Sequence, residues 1–170
     1  MNMEPVRFGV IGCGLMGREF ASVSMRWLHL ACELPRPVIV AACDLSPKNL
    51  DWFRQVPDTK YFYSDYHELL ANPEVEAVYC AVPHHLHAQV YGDVIRAGKH
   101  LIGEKPFGMD LAACEEVEAA MAGRPEVFVR CASEFPFYPA VQQMVKWYRE
   151  GAFGQIIEAR FAIKHSSDMD

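Results

Sequence analysis

The sequence contains no C-x-x-C pair, no run of lysine or arginine, no repeat, no low-complexity tract and no long helical apolar stretch. Each absence removes a class of protein. Its six cysteines (Cys13, Cys32, Cys43, Cys80, Cys114 and Cys131) lie in part within strand-like apolar runs, where a thiol behaves as a small hydrophobe. A reduced, cytoplasmic protein is the reading that follows. With 16 basic against 22 acidic residues the net charge is −6, which argues against a nucleic-acid partner. The apolar stretch Phe8–Met16 is broken by glycines and fits neither a signal peptide nor a membrane span.

What is present is ample apolar material. Hydrophobic residues make up 51% of the chain and charged ones 22%, enough for a packed core in one full-sized domain. Arg7–Ile11 reads as a buried strand ending in a tight turn at Gly12. Helical spacing of Phe20, Val23, Trp27, Ala31 and Leu34 predicts a helix from Leu15 to Leu34, stopped by Pro35 and Pro37. Val38–Cys43 is a continuous apolar strand, as in a parallel sheet covered on both faces. Ser46 and Pro47 open a helix that runs to about Gln55. Tyr61–Tyr63 is a short strand, and Asp65 with Glu68 forms a capping box for a helix ending near Asn72.

Further strands are expected at Ala77–Val82, His100–Ile102 and Val127–Cys131. Helices are expected at His87–Ala97, after Asp110 with Leu111, Cys114, Val117 and Met121 on one face, and at Pro139–Glu150. Alternating strands and helices predict an α/β fold, a doubly wound parallel sheet of Rossmann type. Residues 157–164 break that pattern by alternating apolar with mostly polar side chains, which predicts an antiparallel strand. Burying Ile157, Phe161 and Ile163 would stabilise it by roughly 1.5–3 kcal/mol each. The division expected is a nucleotide-binding domain over 1–135, then a linker helix and the first strand of a truncated α+β domain over 136–170. An unpaired apolar edge there predicts self-association into a homo-oligomer.

Four segments carry chemistry. Gly12-Cys13-Gly14-Leu15-Met16-Gly17 is a G-x-G-x-x-G set between a strand and a helix: a turn, a close approach for a pyrophosphate, and tight helix–strand packing. The helix start adds free N–H groups and a positive dipole end. Asp44, at the end of the second strand, is either an acceptor for ribose hydroxyls or a helix cap beside Ser46. In the first role it repels a 2′-phosphate, since like charges about 4 Å apart cost roughly 4 kcal/mol at a partly wet site. NAD is therefore favoured over NADP, with Lys48 near enough in sequence to soften the preference.

Ala81-Val82-Pro83-His84-His85-Leu86-His87 leaves the fourth strand at the carboxyl edge of the sheet. Its three histidines suggest zinc, but the segment itself contains no Cys, Asp or Glu. No metal is expected; His84 and His85 start a helix while His87 faces the cofactor. Gly103-Glu104-Lys105-Pro106 offers either a surface turn with a solvated ion pair or a lysine that stabilises charge on a substrate hydroxyl.

In this order the segments resemble the glucose-fructose oxidoreductase / inositol dehydrogenase / rhizopine catabolism protein family, Gfo/Idh/MocA. The match runs from Val10-Ile11 and the glycine set through Asp44 and Pro83–His87. It continues through Ala97-Gly98-Lys99-His100 into Glu104-Lys105-Pro106, and then Gly151-Ala152-Phe153-Gly154-Gln155-Ile156. The resemblance implies a Rossmann domain followed by an antiparallel-sheet domain. It makes Lys105 the catalytic-site lysine before a cis Pro106, sets His87 near the nicotinamide and places Glu104 at the nicotinamide ribose.

Gly12, Gly14, Leu15, Met16, Gly17, Asp44, Val82, Pro83, His84, His87, Glu104 and Lys105 are the cofactor-binding residues so implied. The sequence departs from the family where His84 replaces a common asparagine and where Glu134-Phe135-Pro136 replaces a segment often rich in Asn and Arg. The family's Asp and His from its second domain have no counterpart; His165 and Asp168 lie too early.

The activity implied is hydride transfer between NAD and a secondary hydroxyl of a sugar, polyol or cyclitol. The 170 residues alone are expected to bind NAD with little turnover. A non-catalytic NAD-binding sensor or regulatory module is the alternative. A methyltransferase binding S-adenosylmethionine explains neither Gly17 nor Lys105. Phe135, Phe137 and Tyr138 are read as core, with a substrate-facing wall as the alternative.

Overall fold

Val6–Ile11 forms strand β1 at the middle of a parallel sheet, buried from Phe8 onward. It lies between β2 (Pro37–Cys43) and β4 (Ala77–Cys80); β3 (Tyr61–Tyr63), β5 (His100–Gly103) and β6 (Val129–Cys131) complete the order β3-β2-β1-β4-β5-β6. Every pairing is parallel. This is the doubly wound order, with its switch point between β1 and β4. The computed structural model describes residues 3–30 and 33–162, apart from the side chain of Leu28.

The inner strands are largely apolar because both faces of the sheet are covered. On one face Val78, Leu101 and Val40 meet Leu69 of α3 (Tyr66–Ala71), Val90 and Val94 of α4 (His87–Arg96) and Val117 of α5 (Leu111–Ala122). On the other, Val10, Ile39 and Tyr79 meet Ala21 of α1 (Leu15–Met25) and Phe53 of α2 (Pro47–Phe53). Cys13, Cys43 and Cys80 are buried free thiols. Loss of hydration pushes Cys43 and Cys80 up to about 12 and Cys13 up as well, so they pack as protonated hydrophobes.

Helix α1 is shorter than predicted, and of its predicted apolar face Phe20 packs on the core, stacked on Tyr79, while Val23 does not. The helix ends at Met25, followed by a 3₁₀ turn at Trp27–His29; of the expected continuation, Ala31 lies outside the described residues. Its buried side is Gly17, Ala21 and Ser24, whereas Val23 is 55% exposed. Close contact with the sheet selects small residues, which a search for large apolar side chains passes over. Similarly α5 buries Val117 and Ala120 while Leu111 stays exposed.

The caps follow short-range chemistry. Asp65 accepts the His67 N–H at 2.9 Å and Asp110 the Ala113 N–H at 2.8 Å. Ser46 occupies its N-cap position without a side-chain hydrogen bond; Asp44 accepts its N–H instead.

Residues 1–132 and 133–170 form two compact units. The second holds a 3₁₀ turn at Phe135–Phe137 and helix α6 (Pro139–Arg149), which closes at Gly151 with φ +71°. The strand predicted over 157–164 is not formed across Ile157–Ala162; Ile163 and Lys164, like His165 and Asp168, lie outside the described residues. A lone strand has no neighbour to accept its hydrogen bonds, and Ile157 and Phe161 are more than nine-tenths exposed. Phe135, Phe137 and Tyr138, read as core, are about half exposed, since so short a unit has no interior for them.

Candidate active site

At Gly12 the backbone leaves β1 with φ +91°, a left-handed conformation that excludes most side chains, and a Cβ there would also strike the Ala81 carbonyl. A Cβ on Gly17 would strike the Gly12 carbonyl oxygen. These two contacts draw the start of α1 against the ends of β1 and β4. Gly14 differs: its Cβ position meets nothing within 4 Å. The first helical bond is Arg18 N–H to the Gly14 carbonyl at 3.0 Å, and no side chain caps the helix. The N–H groups of Leu15, Met16 and Gly17 thus have no helical acceptor and are available to an anion.

Asp44 stands beside this turn. Its Oδ2 accepts the Cys13 N–H at 2.7 Å and Asn49 Nδ2 at 3.2 Å, and its Oδ1 accepts the Ser46 N–H at 2.7 Å. The carboxylate thus braces the glycine turn, steadies the start of α2 and lines the adjoining cleft. Arg18 donates to Asn49 Oδ1 at 3.1 Å and lies over the Trp52 ring. Sequence reasoning missed Asn49 and Arg18; the only available signal was a polar residue one helical turn beyond Ser46 and another after Gly17.

Two clefts open at the carboxyl edge and share Ala81, Val82 and Pro83 as lining. The larger, about 680 Å³, runs past Gly12, Gly14 and Asp44 toward Tyr66 and His67. The smaller, about 440 Å³, is lined by Met16, His84, Glu104 and Lys105 as well as the shared segment. Together they lie over the switch point, where such sheets bind ligands. Of the residues singled out from sequence, Leu15 and Gly17 line neither cleft; Gly17 is buried and the Leu15 side chain is three-quarters exposed.

His87 does not face either cleft, contrary to expectation. It is fully buried, with Nδ1 2.7 Å from the Pro106 carbonyl oxygen and Nε2 3.0 Å from that of Val82. As the first residue of α4, following a 3₁₀ turn at His84–Leu86, its side chain points inward between two loops. Among the described residues no cluster of three or more His, Cys, Asp or Glu side chains could hold a metal ion.

Glu104 is buried and fully engaged. Its Oε1 accepts the Tyr79 hydroxyl at 2.6 Å, its Oε2 the Lys105 N–H at 3.2 Å, and its backbone oxygen the Tyr91 hydroxyl at 2.8 Å. Burial, then the bond to Glu104, holds the Tyr79 phenol above its ordinary range; burial does the same for Tyr91. The Lys105–Pro106 peptide is cis. Lys105 itself is exposed, and among the described residues its ammonium has no ion-pair partner. Lys99, in the Ala97–His100 segment, donates instead to the Asn72 and Val75 carbonyls at 3.1 and 2.8 Å and so ties the approach to β4.

A doubly wound sheet with a glycine turn at its switch point, a carboxylate at the end of β2 and a lysine beside the cleft defines a class, the NAD-binding oxidoreductases. The oxidoreductase family with an NAD-binding Rossmann fold (Gfo/Idh/MocA) matches residues 6–131, and the chain belongs to that family. Human trans-1,2-dihydrobenzene-1,2-diol dehydrogenase is 31% identical over 159 residues, covering 91% of this chain and 45% of the human protein. Levoglucosan dehydrogenase in complex with NADH and L-sorbose superposes with a TM-score of 0.80 at 25% identity, over 90% of this chain and 41% of that one.

Scyllo-inositol dehydrogenase from Lactobacillus casei, with bound NAD(H) and scyllo-inositol, gives a TM-score of 0.75 at 22% identity. The match covers 89% of this chain and 43% of that one, and establishes the fold. The chain spans less than half the length of each of these proteins.

Proposed function

We propose that the chain supplies the cofactor-binding part of an enzyme that moves hydride between NAD and a secondary hydroxyl of a sugar, polyol or cyclitol. The observation that carries this reading is the paired clefts. One is bounded by the glycine turn and Asp44, the other by Glu104 and Lys105, and both are lined by Ala81–Pro83. The larger cleft suits an adenosine, and the free N–H groups at the start of α1 suit the pyrophosphate. The smaller then takes the nicotinamide end. The names of the diol, levoglucosan and inositol dehydrogenases support a hydroxylated substrate.

NAD, when bound, supplies a hydride acceptor. The chain's own part is to set the reacting hydroxyl beside Lys105, whose ammonium stabilises negative charge on that oxygen as its proton leaves. Val82 and Pro83 limit water at one wall, and Glu104, held by Tyr79, fixes the other. Asp44 disfavours a 2′-phosphate by charge repulsion and thereby selects NAD over NADP.

Titration of the purified chain with NADH and then NADPH, followed by nicotinamide fluorescence or heat, tests the reading. Binding of NADH with a clear preference over NADPH is expected. Failure to bind either, in protein shown to be folded, overturns it.

A further inference from the structure

Lys105 is exposed, yet it occupies the wall of a cleft where a reacting group has to be held in place. Its ammonium has no partner among the described residues, so its position depends on its backbone. The backbone on either side is gripped from one helix. Tyr91 Oη donates to the Glu104 carbonyl at 2.8 Å, and His87 Nδ1 lies 2.7 Å from the Pro106 carbonyl oxygen. His87 and Tyr91 are one turn apart on α4, both 0% exposed, with ring centroids 4.7 Å apart and planes 26° from parallel. The other imidazole nitrogen reaches the Val82 carbonyl at 3.0 Å, on the opposite side of the same cleft.

We propose that the stacked pair His87–Tyr91 is a positioning device that fixes Lys105 through the carbonyls on both sides of it. This rests on the reading above that the Lys105 cleft receives the nicotinamide end of the cofactor. Two rings stacked in a core lose little freedom on folding, unlike long flexible side chains, and so make stiff supports. The grip acts on carbonyl oxygens rather than side chains, which leaves the Lys105 amine free for a ligand. Space for it comes from Gly103: a Cβ there would lie 2.6 Å from the Tyr91 ring. With its N–H on Nδ1, the imidazole donates to the Pro106 carbonyl, the shorter of its two contacts, and a glutamine amide keeps an N–H to offer there.

The test uses the intact protein with Tyr91→Phe, His87→Phe and His87→Gln. Each variant is titrated with NADH and with ADP-ribose, which lacks the nicotinamide. Tyr91→Phe and His87→Phe should weaken NADH by about tenfold, one hydrogen bond's worth, and leave ADP-ribose within about twofold, a shift inside the spread of ordinary surface substitutions. His87→Gln should recover part of the NADH loss.

Amide hydrogen exchange in the cofactor-free protein gives a second readout. Exchange should rise over Gly103–Gly108 in Tyr91→Phe, which removes a single oxygen, and stay at the wild-type rate in β1 and α1. Equal losses of NADH and ADP-ribose, or unchanged exchange over Gly103–Gly108, overturn the proposal. A wild-type protein that binds neither ligand overturns the cofactor reading instead, while the exchange result still decides whether the grip exists.

Discussion

The Asp44 carboxylate and the Cys13 backbone N–H meet at 2.7 Å, across 31 residues of chain. The end of β2 thereby holds the turn that leaves β1, and the same side chain lines the larger cleft. Asp44→Asn would present an amide N–H to one of the backbone donors, and a hydrogen bond to a charged acceptor contributes about 1.5–3 kcal/mol. NADH affinity should fall by at least tenfold and the preference over NADPH should narrow. Paired titrations check both; an unchanged preference would leave Asp44 with the loop-bracing role alone.

Two of the glycines of the turn, Gly14 and Gly17, should separate by experiment. Gly17→Ala forces a methyl against the Gly12 carbonyl and should cost about 1–3 kcal/mol in chemical denaturation. Gly14→Ala meets open space, so stability should stay within about 0.5 kcal/mol while NADH affinity drops sharply. Equal destabilisation by both substitutions would contradict the packing described.

Stability should fall at high pH. Tyr79, Tyr91, Cys43 and Cys80 all have their proton-binding range raised in the folded state, mainly by burial. Their stabilising contribution is complete below the unfolded values of 9.0 for cysteine and 10.0 for tyrosine, and is lost as pH rises above them toward the folded values. Denaturation midpoints should hold up to about pH 8.5, near the unfolded cysteine value, and decline beyond it. Tyr79→Phe should flatten part of that decline, and a slope unaltered by the substitution would count against the role of this phenol.

Lys105→Ala should separate binding from chemistry. Because the ammonium makes no ion pair among the described residues, folding should be unaffected. In the complete enzyme turnover should drop by about 10²–10⁴, the range for a lost acid–base or charge-stabilising group. Single-turnover hydride transfer measures it, and near-normal rates would remove Lys105 from the reaction.

The parallel sheet was legible because its strands are covered on both faces and so read as unbroken apolar runs: Val38–Cys43 and Ala77–Cys80 need no partner to be recognised. Caps such as Asp65 and Asp110 were legible because their chemistry spans two or three residues. The inner face of α1 was not, since Gly17, Ala21 and Ser24 are too small to mark a buried face, and the carbonyl that keeps Gly17 small belongs to the turn before the helix. Likewise the motif around His87 points it toward the cofactor, and only the placement of Pro106 nineteen residues on shows both ring nitrogens set against backbone carbonyls. Residues 157–162 alternate as a strand would, but alternation supplies no hydrogen-bonding neighbour.

The glycine turn also bears on how such a domain ages. Gly12 and Gly17 are demanded by carbonyls of the protein itself and would persist in a descendant that no longer held any nucleotide. Gly14 is under no such demand. In a lineage released from cofactor binding, it is the position free to drift, and a side chain there would mark the loss while the familiar fingerprint on either side stayed intact.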